Sequence, residues 1–190
     1  MMEMAVANIV VVFHSGYGHT QRMAQAVAEG ADAQLLGIDG DGNLPTGGWE
    51  ALAAADAIVF GSPTYMGSVS WQFKKFADAS SKPWYALAWK DKLAAGFTNS
   101  GGLNGDKLAT LDTIFHLAMQ HSMVWVSQGL MPSNLKKSTR EDPNHLVSYS
   151  GAMAHSPADS SPAEMHPGDL ATARLLGQRV AALAQRWRGV

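Results

Sequence analysis

Short apolar runs, each followed by a glycine- and hydroxyl-rich turn and then a helical pattern, constrain this chain more than any other feature. Residues 5–13 read AVANIVVVF, broken only by Asn8 and bounded by His14-Ser15-Gly16. A nearly continuous valine-rich run predicts a strand buried on both faces, as in a parallel sheet. Residues 21–29 predict a helix with Met23, Ala26 and Val27 on one face and Gly30 at its C-terminal cap. The alternation continues with strands at 33–38, 57–61, 93–98 and 123–127. Between them fall a loop at 39–48, a helical turn or two at 49–55, a turn at 62–67, and helices at 69–79 and 106–120. The last helix, at 169–188, carries Ala173, Leu176, Val180, Leu183 and Trp187 on one face. This alternation predicts an α/β fold, a three-layer doubly wound five-stranded parallel sheet. Two strand orders are common for such sheets, the Rossmann order and 2-1-3-4-5. Both place ligands at the carboxyl ends of the strands where the order reverses.

Composition narrows the function. The chain has 190 residues, enough for a single core and one domain spanning 1–190. An irregular excursion at about 132–167, dense in Ser, Pro, His and Asn, is expected to be a functional loop or an interface segment. The net charge of −2 offers no basic face for nucleic acid. There is no cysteine, which excludes disulfides, thiolate metal sites and thiol catalysis. Residues 1–12 are largely apolar but lack a basic start and contain Glu3, so no signal peptide is expected. No apolar run approaches the ~20 residues of a membrane span, so no membrane insertion is expected; the lack of cysteine is compatible with the cytoplasm, which is the expected location. Charged residues make up only 16%, against a usual ~25%, which leaves surface for burial between subunits.

The loops after the strands carry the chemistry. His14-Ser15-Gly16-Tyr17-Gly18-His19-Thr20 precedes a helix, and its hydroxyls, glycines and free N–H groups suit a phosphate. Gly16-Tyr17-Gly18 also begins a G-x-G-x-x-G pattern, with Gln21 in the third glycine position and Asp39 lying 21 residues past Gly18, where a Rossmann fold would hold a ribose. The loops GSPTYMGS at 61–68 and TNSGGLNG at 98–105 hold neither a hydrolase nucleophile nor paired acids. Their glycines, hydroxyls and amides can bond the edge of a planar heterocycle, with Tyr65 and Met66 giving apolar contact.

Together these loops resemble the flavodoxin-like FMN proteins, and more narrowly the NAD(P)H:quinone oxidoreductases of WrbA type. SGYGHT resembles that family's phosphate loop, GSPTYMG its second flavin loop and FTNSGGLNG its third. QHSMV, at 120–124, resembles the segment carrying a histidine near the flavin, and LATARLLGQRVAALA resembles its last helix. The resemblance spans most of the chain. The family often has Arg-Phe in place of Tyr65-Met66, and residues 134–167 diverge most.

The resemblance implies the order 2-1-3-4-5, FMN as cofactor, NADH or NADPH as co-substrate and a quinone as acceptor. It implies that Ser15, Tyr17, Gly18, His19 and Thr20 hold the phosphate. Pro63, Thr64, Tyr65, Met66 and Gly67 would border the ring. Thr98, Asn99, Ser100, Gly101 and Gly105 would close its other edge. His121 is the candidate catalytic side chain, against the alternative of a histidine packed at a helix end. No metal site is expected. A homo-oligomer, dimer or tetramer, is expected, with the flavin near a subunit junction and residues 155–166 as a neighbour. Two other readings stand beside this one: a flavodoxin-like electron carrier without its own turnover, and a Rossmann-type NAD dehydrogenase using Asp39.

Overall fold

A computed structural model describes residues 6–189; the first residue of the expected leading strand, Ala5, lies outside the described residues. In chain order the elements are β1 (Ile9–His14), α1 (His19–Ala31), β2 (Gln34–Ile38), α2 (Gly48–Ala54), β3 (Ala57–Tyr65), β4 (Ser68–Val69), α3 (Trp71–Ala79), α4 (Ser81–Tyr85), β5 (Leu93–Ser100), α5 (Lys107–Gln120), β6 (Val124–Trp125), β7 (Ala152–His155) and α6 (Pro167–Arg188).

The inner strands are buried on both faces because nearly every residue in them is apolar or small. Ile9, Val11, Phe13, Ala57, Val59, Leu93, Ala95 and Phe97 pack beneath α1 and α6. The alternate residues Val10, Val12, Ile58, Phe60 and Ala94 pack against Leu52 of α2, Phe73 and Phe76 of α3, and Ile114 and Ala118 of α5. Two apolar cores therefore sandwich one sheet, which is the condition that favours parallel pairing. The main path runs β2-β1-β3-β5-β6, with β1–β2, β1–β3, β3–β5 and β5–β6 all parallel. This is the 2-1-3-4-5 order of a flavodoxin-like fold, with two short strands added.

Both additions fall where the sequence reading was coarser. The third strand runs on through Ser62 to Tyr65, where a turn was expected, because Ser62 and Pro63 still pair with Thr98 and Asn99. Thr64 and Tyr65 then pair antiparallel with β4. Ser70 caps α3 by accepting from Phe73 N at 3.3 Å. The fifth strand is split. β6 covers only Leu93 and Ala94 of β5, while β7 covers Phe97 to Ser100. The chain between them makes an excursion, and Trp125 Nε1 closes it by donating to Ser150 O at 2.9 Å. The irregular stretch expected at about 132–167 thus contains a strand of the sheet.

α1 and α6 cross closely. Gly30, expected as a cap, lies inside α1; the cap is Asp32 in the left-handed region, and Ala33 N donates to Ala28 O at 3.1 Å. A Cβ at Gly30 would overlap the Arg174 carbonyl, and one at Gly177 would overlap the Val27 carbonyl. Each glycine is therefore fixed by the backbone of the facing helix. Trp187 departs from the expected buried face: it is 51% exposed, with Nε1 donating to Asp91 O. Replacing Gly177 with alanine is expected to lower stability by about 1–3 kcal/mol, because the obstructing atoms are backbone and cannot rotate away. Urea unfolding compared with Ala182→Ser, at an exposed position of the same helix, measures it.

Candidate functional site

The carboxyl ends of β1, β3, β5 and β7 open onto one cavity of about 610 Å³. Its walls are Ser15, Gly16, Tyr17, His19 and Thr20 from the first loop; Pro63, Thr64 and Tyr65 from the end of β3; Asn99, Ser100 and Gly101 from the end of β5; and Ser156, Pro157, Ala158 and Ser160 after β7. The volume is within the usual range for a cofactor or substrate pocket. No lysine, arginine, aspartate or glutamate lines it among the described residues.

One end has the loop and helix-start geometry that suits an anion. Gly18 precedes α1 with φ 91°, a left-handed conformation that favours glycine. Its N–H donates to Ser15 Oγ at 3.0 Å, closing a tight turn. The helix ladder begins only at Arg22 N, which donates to Gly18 O at 2.9 Å. The N–H groups of His19, Thr20 and Gln21 therefore precede the helical bonds, at the positive end of the helix dipole. A Cβ at Gly16 would overlap the Tyr65 hydroxyl, and one at Gly18 would lie 2.8 Å from Pro162 Cγ. The loop is thus held between β3 and the segment after β7.

The other walls are tied by hydroxyls. Thr64 Oγ1 is 2.9 Å from Thr98 Oγ1 and 2.8 Å from Thr110 Oγ1. Ser156 Oγ donates to Asn99 Oδ1 at 2.9 Å, and Ser156 N donates to Ser100 O at 3.1 Å. His19 Nε2 lies 3.0 Å from Ser160 O. A carbonyl only accepts, so Nε2 carries the proton. His155 Nε2 donates to Gly101 O at 3.1 Å by the same argument. Tyr65 meets Tyr17 edge-on at 6.4 Å, and burial raises the pKa of its hydroxyl.

Of the residues expected to bind, ten line this cavity: Ser15, Tyr17, His19, Thr20, Pro63, Thr64, Tyr65, Asn99, Ser100 and Gly101. Gly18, Met66, Gly67, Thr98 and Gly105 do not line it. Gly18 shapes the anion loop. Thr98 is fully buried behind Thr64. Gly105 has φ 55°, and a Cβ there would overlap Ser100 Oγ. Met66, with φ 48°, and Gly67, with φ 77°, form the exposed turn between β3 and β4. The residues 156–160 were anticipated only as a neighbour. Their signal is a hydroxyl- and proline-rich loop after a short apolar run, the same grammar as the other loops.

His121 stands apart from the cavity. It caps the C-terminal end of α5, just before β6, which pairs with the first residues of β5. The cavity lies at the other end of β5, about 23 Å away along the strand at ~3.3 Å per residue. The imidazole is buried, its Nε2 is 2.8 Å from Ser80 Oγ, and its ring packs 4.1 Å from Trp89. Within one subunit it therefore cannot touch a group in the cavity. Asp39 is also diverted. Its Oδ1 accepts from Asp41 N at 2.9 Å and Asn43 N at 2.8 Å, shaping its own loop. With the strand order above, this removes the Rossmann dehydrogenase reading.

The comparisons agree with the geometry. A family model described as NADPH-dependent FMN reductase matches residues 45–136. The chain is 51% identical over 181 residues to Flavodoxin FldP of Pseudomonas aeruginosa, covering 95% of this chain and 98% of that protein. It is 31% identical over 208 residues to an NAD(P)H dehydrogenase (quinone) of Geobacter sulfurreducens, covering 96% of this chain and all of that one. A crystal structure of a flavodoxin, WrbA-like protein from Agrobacterium tumefaciens superposes with a TM-score of 0.80 at 56% identity, covering 95% and 98% of the two chains. A doubly wound sheet in the order 2-1-3-4-5, with a glycine-shaped loop after its first strand, is the flavodoxin-like arrangement. The chain belongs to the flavodoxin-like FMN protein family.

Burial pushes the pKa of His121 down from 6.5 to about 4. Its native state thus holds a neutral imidazole where the unfolded chain takes up a proton. The stabilisation is complete above pH 6.5 and is lost as pH falls toward 4, amounting to up to ~3 kcal/mol. Urea unfolding across that window is expected to show this loss in the wild type and a flatter profile in His121→Asn.

Proposed function

We propose that this chain acts as a single flavodoxin-like domain that uses FMN to pass reducing equivalents from NADH or NADPH to a quinone. The observation that carries the reading is the cavity itself. It has a loop and helix start suited to an anion at one end, hydroxyl and amide walls, and, among the described residues, no carboxylate, lysine or arginine in its lining to perform acid–base chemistry. Such a site positions a cofactor that brings its own reactivity. The chemistry that bound FMN would supply here is hydride acceptance from a nicotinamide and electron delivery to an acceptor.

The loop at 15–20 holds the phosphate through Ser15, Thr20 and the first N–H groups of α1. Pro63, Thr64, Asn99, Ser100 and Gly101 border the ring and ribityl chain. Thr98, Thr110 and Gly105 keep those walls in place. Tyr17 and Met66, 79% and 103% exposed, leave an apolar rim suited to a planar acceptor. His121 has no part in this reading. The names of the roughly 30%-identical relatives support the quinone reaction. We also propose a cytoplasmic location and a homo-oligomer. Among the described residues no helix is long and apolar enough to cross a membrane. Trp71, Trp84, Tyr85 and Leu87 on α3, α4 and the turn beyond are each at least 45% exposed, an apolar area that a second copy would cover.

A second reading is favoured by the name of the 51%-identical relative: an electron carrier without turnover of its own. A net charge of −2 gives weak steering toward a redox partner, which favours the enzyme. Anaerobic visible spectra separate the two. On the proposed reading, NADH or NADPH bleaches the bound FMN within the dead time of manual mixing, and a quinone restores it. FMN that binds but stays oxidised with both nucleotides would establish the carrier reading instead.

A further inference from the structure

Lys107 is a buried cation outside the cavity lining, and the proposed reaction makes no use of it. It is the first residue of α5 and is 1% exposed. Its Nζ donates to Gly102 O at 2.6 Å, Leu103 O at 2.8 Å and Asn104 O at 3.1 Å. Ser100 Oγ donates to the same Gly102 carbonyl at 3.0 Å. An ammonium has three protons to donate, and all three have partners on one loop. That loop begins at Ser100 and Gly101, which are cavity wall. The charge is thus held one residue behind the lining.

The groups around it leave that charge uncompensated. From α6, Asp169 faces it; from the excursion between β6 and β7, Arg140 does. These two are committed to each other: Arg140 Nη1 donates to Asp169 Oδ1 at 2.6 Å, and Nη2 donates to Oδ2. Asp169 Oδ2 also accepts from His155 N at 2.9 Å. From β7, the His155 ring is kept neutral by burial, with Nε2–H on Gly101 O. The neighbouring Asp106 is exposed. The sum over Arg140, Asp169 and Lys107 is one positive charge, beside a cavity lined by no carboxylate among the described residues.

We propose that Lys107 is a positioning residue that both fixes the loop at 100–105 and supplies a positive field to the cavity, so that the site prefers reduced FMN. Two-electron reduction adds two electrons and one proton to the neutral ring and leaves one net negative charge. A cation held in a poorly solvated wall favours that form over the oxidised one. Burial brings the lysine down to about 8, so it remains mostly charged at neutral pH. The inference rests on FMN occupying the cavity and is independent of the acceptor.

The test uses full-length protein loaded with FMN, titrated anaerobically with dithionite and a reference dye at pH 7, without nicotinamide or quinone. Lys107→Gln keeps donors for the loop carbonyls but removes the charge; Lys107→Arg keeps the charge. Affinity for oxidised FMN is measured in parallel by fluorescence. Lys107→Gln is expected to weaken reduced FMN about tenfold more than oxidised FMN. That difference is read as a fall of about 30 mV in the two-electron midpoint potential. Lys107→Arg is expected to stay at the wild-type potential. An unchanged potential in Lys107→Gln would overturn the proposal, as would equal weakening of both FMN forms, which is what a purely structural lysine would give. Wild-type protein that binds no FMN would instead overturn the cofactor reading beneath it.

Discussion

Burial of β1, β3 and β5 on both faces is the constraint from which the site follows. Strands covered by helices on both sides offer no open face for a ligand. The loops at their carboxyl ends are the place where backbone N–H groups, hydroxyls and the start of a helix meet without a covering layer. The strand order then decides which loops converge. Because the chain turns back after β2 and crosses to the other side of β1, the first loop faces those after β3 and β5 across a crevice. The crowding that makes this possible is visible in backbone contacts. Gly30 and Gly177 let α1 approach α6, and this close crossing fixes the helix whose first turn forms the proposed anion cradle.

The split fifth strand completes the enclosure. A single uninterrupted strand would carry the chain straight past the cavity. Here β6 ends after pairing with Ala94, and the chain returns as β7 beside the second half of β5. The following residues fold over the anion loop, with Pro162 against Gly18 and Ser160 O on His19. The excursion is held by Asn144, whose N–H donates to Thr172 Oγ1 at 2.8 Å and whose Oδ1 accepts from Ser148 N at 2.8 Å. Two histidines, His19 and His155, thus fasten one wall segment to the loops on either side.

Much of this was legible in the sequence because long apolar runs leave few alternatives. IVVVF within the first run and AIVFG form central strands here, and the glycines in the loops after them mark turns that admit a ligand. What was not legible depended on contacts between distant residues. Gly30 reads as a cap until Arg174 is placed over it. AMAH is too short and too weakly patterned to announce a strand, and only Phe97 to Ser100 beside it make it one. His121 shows why a residue in a familiar segment can be misplaced. Its position at a helix end was correct, but the direction of the sheet puts that end away from the cavity. Lys107 carries no motif, and its burial appears only when the loop carbonyls fold around it.

On the proposed reading, the first turn of α1, shaped by Ser15 and Gly18, is an anion cradle that anchors the cofactor by its phosphate. Calorimetric titration of the protein with FMN and with riboflavin, which lacks the phosphate, tests it directly. Two charge-assisted hydrogen bonds to a phosphate contribute about 3 kcal/mol, so FMN should bind at least ~100-fold more tightly than riboflavin. Equal affinity for the two would rule out the cradle, because the flavin would then be held without the loop on which the rest of the site is built.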